Sequence, residues 1–377
     1  MASIRKPTTE TETATSTTTT GGVRGALSRW RGAGRPPEAP GPEAGATVLH
    51  VEDLRVYYHT PAGPVKAVDG VSFGLAVGER FGLVGESGSG KSTMALALMR
   101  MIRPPGQIES GTVLLGETDL LSLNEEQMRR MRLAEIAMVA QGAMNSLNPV
   151  KRIKDQMLLG LRDHGVRQSD REAARHIADL LTKVGLKPGV ANMYPHELSG
   201  GMKQRVCIAI AISLRPKVIV ADEPTSALDV VVQWQVIDTL KRVQAELGAA
   251  MILIGHDMGL MAQSVDRLGV MYAGRLVEVV ATRELFAEPL HPYSQLLIAS
   301  LPTLESKSEL RGIPGLPPSL LNRPVGCPFN TRCPHVMDVC RTVEPPLLEH
   351  RPGHWAACHL YGNGVDNGID NDSEVSA

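Results

Sequence analysis

The sequence predicts an α/β fold, and three short apolar segments carry that prediction. Residues 81–84, 218–221 and 251–254 have the composition of buried strands, and each runs directly into residues suited to a binding site. These are a glycine-rich loop, a pair of carboxylates and a histidine. Because α/β sheets bind ligands at the carboxyl ends of their strands, we expect the functional residues of this chain at that edge.

The glycine-rich loop carries the most specific motif. Residues 85–92 read Gly-Glu-Ser-Gly-Ser-Gly-Lys-Ser and fit the phosphate-binding pattern G-x-x-x-x-G-K-[ST], between a strand and a helix-forming segment. Glycines let backbone N–H groups turn toward phosphate oxygens, and the start of the helix adds positive charge. Lys91 would reach the β- and γ-phosphates and Ser92 would hold Mg²⁺. The predicted ATP-binding residues are Gly85, Glu86, Ser87, Gly88, Ser89, Gly90, Lys91, Ser92 and Thr93.

Four further elements follow this loop along the chain. Gln141 follows an apolar strand, residues 197–205 open a helix with a Ser-Gly-Gly turn, Asp222 and Glu223 end a strand, and His256 ends another. Taken singly, each has an ordinary structural explanation: a solvated glutamine, a capped helix start, two acids at a turn, a structural histidine. The exposed N–H groups of the helix start would form a second anion site.

Together and in this order, these motifs resemble the ATP-binding-cassette (ABC) ATPases over roughly residues 48–290. The resemblance implies an ABC-type P-loop ATPase core with an antiparallel β subdomain and a helical subdomain at about 142–212, within a nucleotide-binding domain at 47–290. It makes residues 85–93 the Walker A loop and 218–223 the Walker B strand. The signature and D-loop, which act on the nucleotide of a partner subunit, correspond to Leu198, Ser199, Gly200, Gly201, Gln204 and Asp229.

The resemblance and the charges together predict an ABC-type transport ATPase that converts ATP and water to ADP and phosphate. Asp222 would hold Mg²⁺ alongside Ser92 and Gln141. Glu223 faces the opposite side of the strand end and would act as general base toward the attacking water. His256 would contact the γ-phosphate and steer Glu223. The predicted catalytic residues are therefore Glu223, His256 and Gln141.

An aromatic residue ahead of the core stacks on adenine in this family. The segment Val56-Tyr57-Tyr58 offers two candidates, and adjacent strand residues face opposite ways, so only one can serve. Its position relative to the next strand favours Tyr58. The alternative is that either tyrosine packs across strands, as aromatic residues commonly do.

Composition restricts the class of partner. The 377 residues carry 39 basic and 40 acidic side chains, a formal charge of -1, which predicts no nucleic-acid partner. No apolar run approaches the length of a membrane span, and the start does not resemble a secretory signal. We therefore expect a peripheral protein at the cytoplasmic face of the cell membrane, held there by permease subunits. Residues 1–46 and 362–377 are predicted to be disordered extensions.

The helical subdomain and the segment leading into it narrow the subclass. Residues 170–184 are predicted to form a helix whose buried face contains Ala174, Ile177, Ala178, Leu181 and Val184. Residues 142–149, directly after Gln141, resemble the corresponding segment in the peptide importers of the family. In the family this subdomain meets the membrane subunits.

A small cysteine-rich extension, residues 291–361, follows the cassette. Cys327, Cys333, Cys340 and Cys358 have the spacing C-x5-C-x6-C-x17-C, and clustered thiols in a cytosolic chain favour metal over disulfides. The segment resembles the C-terminal region of dipeptide/oligopeptide/nickel importer ATPases, which implies a [4Fe-4S] cluster on these four residues. Zinc is the alternative, with His335, His350, His354 and His359 as possible substitute ligands, and disulfides or free thiols come third. Cys207 is expected to be a buried packing residue.

These observations predict the ATP-hydrolysing subunit of an importer of dipeptides or oligopeptides. Its partners would be two membrane permease subunits, a second homologous ATPase subunit and an extracytoplasmic solute-binding protein. Nickel or another small solute is an alternative cargo. A soluble ABC ATPase in nucleic-acid or ribosome work and a redox-sensing regulator are alternatives from other classes.

Overall fold

The structure is a computed structural model that describes residues 46–301 and 312–362. The disorder predicted for residues 1–46 and 362–377 therefore concerns residues outside the described part, apart from Ala46 and Gly362 at its borders.

Twelve strands and nine α-helices make up the described part, joined by short turns and 3₁₀ segments. The strands are β1 (Thr47–Thr60), β2 (Gly63–Ala76), β3 (Arg80–Val84), β4 (Gly106–Leu115), β5 (Thr118–Asp119), β6 (Ile136–Val139), β7 (Val218–Asp222), β8 (Ala250–Ile254), β9 (Arg267–Tyr272), β10 (Arg275–Ala281), β11 (Leu348–Arg351) and β12 (His354–Ala356). The α-helices are α1 (Lys91–Leu98), α2 (Glu125–Met131), α3 (Ile153–Asp163), α4 (Asp170–Lys183), α5 (Gly200–Ala211), α6 (Val230–Leu247), α7 (Met258–Ser264), α8 (Thr282–Ala287) and α9 (Pro292–Ala299).

An eight-stranded sheet with the order β11-β12-β10-β9-β3-β8-β7-β6 forms the centre of the fold. Its middle strands are parallel: β3 pairs with β8 and β9, and β7 pairs with β6 and β8. Every residue of β7 and β8 is buried, as expected for strands covered on both faces. The carboxyl ends of β3, β7 and β8 therefore lie at one edge, where the Walker A loop, the two carboxylates and His256 follow.

A second, antiparallel sheet has the order β2-β1-β4-β5. One face of its long strands is buried, and the rings of Phe73 on β2 and Phe81 on β3 stack with centroids 5.1 Å apart. This contact joins the two sheets in one apolar core, to which Met94 and Leu98 of α1 also contribute.

Helices fill the region between β6 and β7. In α4 the buried face is formed by Ala173, Ile177, Leu180 and Leu181. The predicted face was wrong in two members, because Ala174 is exposed and Ala178 is only half-buried. Ile177, Leu181 and Val184 are buried as predicted, and the buried stripe also includes Ala173 and Leu180.

The C-terminal region is continuous with the central sheet. Strands β11 and β12 form a hairpin, and β12 pairs antiparallel with β10, so the region extends the sheet by two strands. Cys327, Phe329 and Cys340 belong to the same apolar cluster as Tyr272 of β9. Shared strands and a shared core make this region part of the cassette body.

Across residues 46–301 and 312–362, no helix has both the length and the apolar character required to traverse a bilayer.

Asp69 is a buried carboxylate that joins distant parts of the fold. Its oxygens accept hydrogen bonds from Arg55 (2.7 Å) and Tyr57 (2.6 Å) of β1, and from Arg275 (3.3 Å) of β10. Arg323 of the C-terminal region adds a charged contact. Burial acts to raise the pKa of Asp69, but these bonds and charges lower the pKa to about 2. The charged form is thus strongly favoured in the folded protein.

We predict that Asp69→Asn lowers the free energy of unfolding by roughly 2–3 kcal/mol, because several arginines lose a buried partner charge. Chemical unfolding at neutral pH measures the loss. Asp53→Asn is the matched control, since Asp53 pairs with Arg55 but its side chain is 56% exposed; it should cost less than about 1 kcal/mol. Equal losses in the two variants would contradict a special role for Asp69.

Candidate nucleotide site

Two glycines let the Walker A loop lie against neighbouring strands. Gly85 and Gly90 have φ values of 147° and 106°, which L side chains rarely adopt. A Cβ atom at Gly85 would lie 2.1 Å from the carbonyl oxygen of Met271, and one at Gly90 would lie 2.1 Å from that of Ala67. Neither position can hold a side chain, so the loop packs closely on β9 and β2 and enters α1 at Lys91.

Lys91 is buried within this loop. Its Nζ donates to the carbonyl oxygens of Gly85 (2.8 Å) and Glu86 (2.9 Å), and lies 3.3 Å from Ser89 Oγ. Burial lowers the pKa of Lys91, while the nearby carboxylates of Glu223 and Asp222 act to raise it. Ser87 and Gly88 at the tip of the loop are exposed, and Ser92 and Thr93 are half-buried. The loop therefore surrounds a positive charge with backbone groups and leaves its tip open.

Ser92 and Asp222 meet at the magnesium position that the motifs predict. Ser92 Oγ donates to Asp222 Oδ1 at 3.1 Å, and Asp222 is the last, buried residue of β7. Burial raises the pKa of Asp222, Glu223 adds to the effect, and the Ser92 hydrogen bond and Lys91 oppose it. A hydroxyl and a carboxylate are suitable Mg²⁺ ligands alongside phosphates and waters, so these two residues fit the ion.

Glu223 is held apart from that pair. It has a φ of 41° just after β7, and its N–H donates to the carbonyl oxygen of Ile254 at 3.0 Å. Gln141 Nε2 donates to Glu223 Oε2 at 2.9 Å, and His256 Nδ1 lies 3.5 Å from Oε1. The Glu223 side chain is 20% exposed and that of His256 is 72% exposed. The left-handed conformation at Glu223 turns its carboxylate toward different partners from those of Asp222.

Gln141 contacts Glu223, and its role as a magnesium ligand stays a prediction. The motifs predicted a magnesium ligand beside Ser92 and Asp222, whereas its amide hydrogen-bonds to Glu223. In this arrangement Gln141 and His256 contact the carboxylate of Glu223 from two sides.

The signature and the D-loop begin two adjacent helices. Ser199 caps α5 by accepting a hydrogen bond from the Met202 N–H at 3.3 Å, and Asp229 caps α6 by accepting one from the Val232 N–H at 3.0 Å. A Cβ at Gly201 would lie 2.5 Å from Val232 Cγ1, so the glycine permits close packing of the two helices. The remaining predicted signature residues are Leu198 and Gln204, both buried, and Gly200, which faces Leu228.

The signature and the Walker A loop do not meet within one chain. Among the hydrogen bonds and ion pairs of the described residues, none joins residues 198–204 to residues 85–93. The second anion site predicted at the start of α5 therefore has no direct bond to the first.

The two candidate tyrosines have different surroundings. The Tyr57 hydroxyl donates a hydrogen bond to Asp69 at 2.6 Å, so Tyr57 belongs to the hydrogen-bond network around that carboxylate. The ring of Tyr58 packs against Gly106, where an added Cβ would lie 2.7 Å from Tyr58 Cε1. Adenine stacking by Tyr58 stays a prediction.

Sequence reasoning missed two residues that contact the Walker A loop from the C-terminal region. Arg332 forms a two-pronged ion pair with Glu86, with N–O distances of 2.7 and 2.9 Å. The Tyr293 hydroxyl accepts a hydrogen bond from the Glu86 N–H at 2.8 Å. No local pattern could reveal these contacts, because the partners are 246 and 207 residues apart.

The four C-terminal cysteines are free thiols that lie near one another. The Cys327 N–H donates to the carbonyl oxygen of Cys340 at 2.8 Å. Burial raises the pKa of Cys327 to about 12 and that of Cys358 to about 11, and the charges of neighbouring cysteines add to both effects. Burial and Cys340 likewise raise the pKa of Cys333. In the two described ranges, however, no three His, Cys, Asp or Glu side chains are close enough to hold one metal ion.

Three of the four histidines considered as substitute ligands have other partners. His354 Nε2 lies 2.7 Å from the buried Glu278, His350 Nε2 is 3.0 Å from the Ala356 carbonyl oxygen, and His359 Nε2 is 2.9 Å from that of Val343. Cys207 donates to the Ala143 carbonyl oxygen at 3.3 Å, and burial raises its pKa to about 12, as expected for a packing residue.

Comparison with known proteins identifies the family. Residues 68–226 match the family described as "ABC transporter", and residues 277–340 match "Oligopeptide/dipeptide transporter, C-terminal region". The chain is 43% identical over 320 residues to the oligopeptide transport ATP-binding protein OppD of Salmonella typhimurium, covering 84% of this chain and 95% of that protein. It is 42% identical over 319 residues to the dipeptide transport ATP-binding protein DppD of Caldanaerobacter subterraneus, covering 84% and 98%.

A solved structure shares the cassette fold. It is the dimeric post-hydrolysis state of the ATP-binding cassette MJ0796 bound to ADP and Pi, with a TM-score of 0.56, 25% identity, and coverage of 62% of this chain and 99% of that one. The structural likeness covers the cassette, and the sequence relatives extend it through the C-terminal region. On these grounds the chain belongs to the ABC transporter family as one of its ATP-hydrolysing transport ATPases.

Proposed function

We propose that this chain is the ATP-hydrolysing subunit of an ABC importer that takes up peptides. One observation carries the proposal: a sheet edge that presents Lys91, Asp222 and Glu223 is joined in the same body to a C-terminal region of the oligopeptide/dipeptide transporter type. The relatives named for oligopeptide and dipeptide transport match this chain over almost their whole length.

The chemistry follows from how the charges are arranged. Lys91 and the loop N–H groups bind the β- and γ-phosphates, and Ser92 and Asp222 hold Mg²⁺, which when bound offsets phosphate charge. Glu223 accepts the proton of the attacking water, since its carboxylate is held by Gln141 and His256 apart from the magnesium pair. His256 is mostly exposed and can turn toward the γ-phosphate.

A second ATPase subunit completes each site. No hydrogen bond or ion pair joins the start of the signature helix to the Walker A loop among the described residues, and in the proposed dimer this helix start binds the nucleotide of the partner. The dimeric form of the similar MJ0796 cassette supports this arrangement. The partner assembly includes two permease subunits and an extracytoplasmic solute-binding protein, which place the chain at the cytoplasmic face of the membrane.

We propose further that Cys327, Cys333, Cys340 and Cys358 hold a [4Fe-4S] cluster. Four free, mutually interacting thiols support a cysteine-ligated group. Cysteine thiolates are the usual ligands of such clusters. When bound, the cluster would cross-link the C-terminal region.

Hydrolysis can be separated from binding by two substitutions. We predict that Glu223→Gln retains MgATP binding and lowers steady-state turnover by at least about a hundredfold, because only the proton acceptor is lost. Lys91→Ala should instead weaken nucleotide binding itself, because the loop loses its positive charge. Equilibrium titration and phosphate release measure the two quantities. Normal turnover by Glu223→Gln would remove Glu223 from its role.

Peptide import is tested by uptake into cells that lack this subunit and retain its permeases and solute-binding protein. We predict that the wild-type chain restores accumulation of a labelled dipeptide or oligopeptide and that Glu223→Gln does not. Labelled nickel chelate serves as the competing solute. Restored uptake of nickel without peptide would assign the subunit to the alternative cargo.

The cluster is tested on anaerobically purified full-length protein. We predict that the wild-type chain is brown and contains iron and acid-labile sulfide, and that Cys327→Ser loses most of both, since one of four ligands is gone. Cys207→Ser is the matched control and should keep them, because Cys207 bonds to Ala143 instead. Zinc without iron or sulfide in the wild-type protein would exclude the cluster.

A further inference from the structure

Arg332 of the C-terminal region fixes the side chain of Glu86 in the Walker A loop. Its two terminal nitrogens lie 2.7 and 2.9 Å from the two carboxylate oxygens. The Arg332 side chain is only 3% exposed and that of Glu86 is 24% exposed. Arg332 also donates to the carbonyl oxygens of Pro314 (2.8 Å) and Ile313 (3.3 Å) and lies 3.2 Å from the Tyr272 hydroxyl. The guanidinium group is thus held on every side.

Tyr293 fixes the backbone of the same residue. Its hydroxyl accepts the hydrogen bond from the Glu86 N–H at 2.8 Å, and its ring is completely buried. The rings of Tyr272 and Phe329 pack against it, with centroids 4.6 and 5.4 Å away. Both the main chain and the side chain of Glu86 are therefore held by residues that follow the cassette in sequence.

The hold on Glu86 extends to the phosphate-binding lysine. Lys91 Nζ donates to the Glu86 carbonyl oxygen at 2.9 Å, so the position of Glu86 affects that of the ammonium group. The Glu86 carboxylate also carries a charge of the same sign as a triphosphate. An arginine fork is the partner best suited to neutralise a carboxylate in a fixed orientation.

We propose that Arg332 is a positioning residue for ATP, through which the C-terminal region sets the affinity of the Walker A loop for nucleotide. By neutralising Glu86 it removes a repulsive charge beside the phosphates, and by orienting Glu86 it keeps Lys91 in place. The inference rests on the ATPase role proposed above and is independent of the transported solute.

The same contact links the nucleotide site to the cysteine segment. Arg332 directly precedes Cys333, and the N–H groups of both residues donate to the Phe329 carbonyl oxygen at 3.0 Å. A rearrangement of this turn would displace the guanidinium group from Glu86. The order of the cysteine segment and the shape of the Walker A loop are therefore coupled, whatever the thiols bind.

The test is a charge rescue measured on the full-length protein. We predict that Arg332→Met raises the Kd for MgATP about tenfold, because an unpaired carboxylate remains in the loop. Adding Glu86→Gln to Arg332→Met removes that charge and should recover at least half of the loss on a logarithmic scale. Arg332→Lys keeps the positive charge but cannot form two parallel hydrogen bonds to the Glu86 carboxylate. It should raise the Kd for MgATP by a smaller factor, about threefold.

Arg351→Met is the control for an indirect effect, in which any weakened contact of the C-terminal region would raise the Kd for MgATP. Arg351 also joins this region to the cassette, through Glu288, but the pair is exposed and does not contact the Walker A loop. Its Kd for MgATP should stay within about twofold of wild type. Circular dichroism and thermal unfolding establish that each variant is folded, and Arg332→Gln with and without Glu86→Gln provides the rescue pair if Arg332→Met does not fold.

An unchanged Kd in both Arg332 variants would overturn the proposal, as would a loss of MgATP affinity that Glu86→Gln does not reverse, since the unpaired carboxylate of Glu86 would then not be what weakens nucleotide binding. Failure of the ATPase role itself would look different, because the wild-type chain would then bind no MgATP.

Discussion

Opposite charges held together at the carboxyl edge of one parallel sheet are the interaction on which the rest of the structure depends. Lys91 and Asp222 both lose hydration there, and burial shifts the pKa of each toward its neutral form. Their proximity opposes that shift and keeps both charges available for phosphate and Mg²⁺. The edge exists because β3, β7 and β8 are parallel and buried on both faces, so that three loops of unrelated sequence emerge side by side.

The C-terminal region contacts both the central sheet and the Walker A loop. It extends the sheet through β12, neutralises Asp69 through Arg323, and holds the Walker A loop through Arg332. Each contact is an ion pair or a strand pairing that crosses more than 70 residues of sequence. The glycines of the Walker A loop give its backbone conformational freedom but contribute little to its stability. Contacts from the C-terminal region can therefore help to hold the loop in the conformation that binds phosphate.

The signature and the Walker A loop are not joined by a hydrogen bond or an ion pair among the described residues, and each is held by other neighbours. Close packing of Gly201 on Val232 ties the signature to the D-loop helix, so these two segments form one surface. The Walker A loop and Glu223 form another.

Local features were well predicted from sequence. The apolar strands, the glycine-rich loop and the capped start of α5 depend on neighbours within a few positions, so a local sequence pattern is enough to reveal them. The buried face of α4 was right at Ile177 and Leu181 but wrong at Ala174 and Ala178, because which side of a helix meets the core depends on its neighbours. The sequence by itself determined the α/β fold and the family, and it indicated which residues to expect at the ATP site. Only the tertiary structure decided that Gln141 contacts Glu223, that the C-terminal strands join the main sheet, and that Arg332 pairs with Glu86, because these contacts arise when segments far apart in the chain are brought together by the shared core.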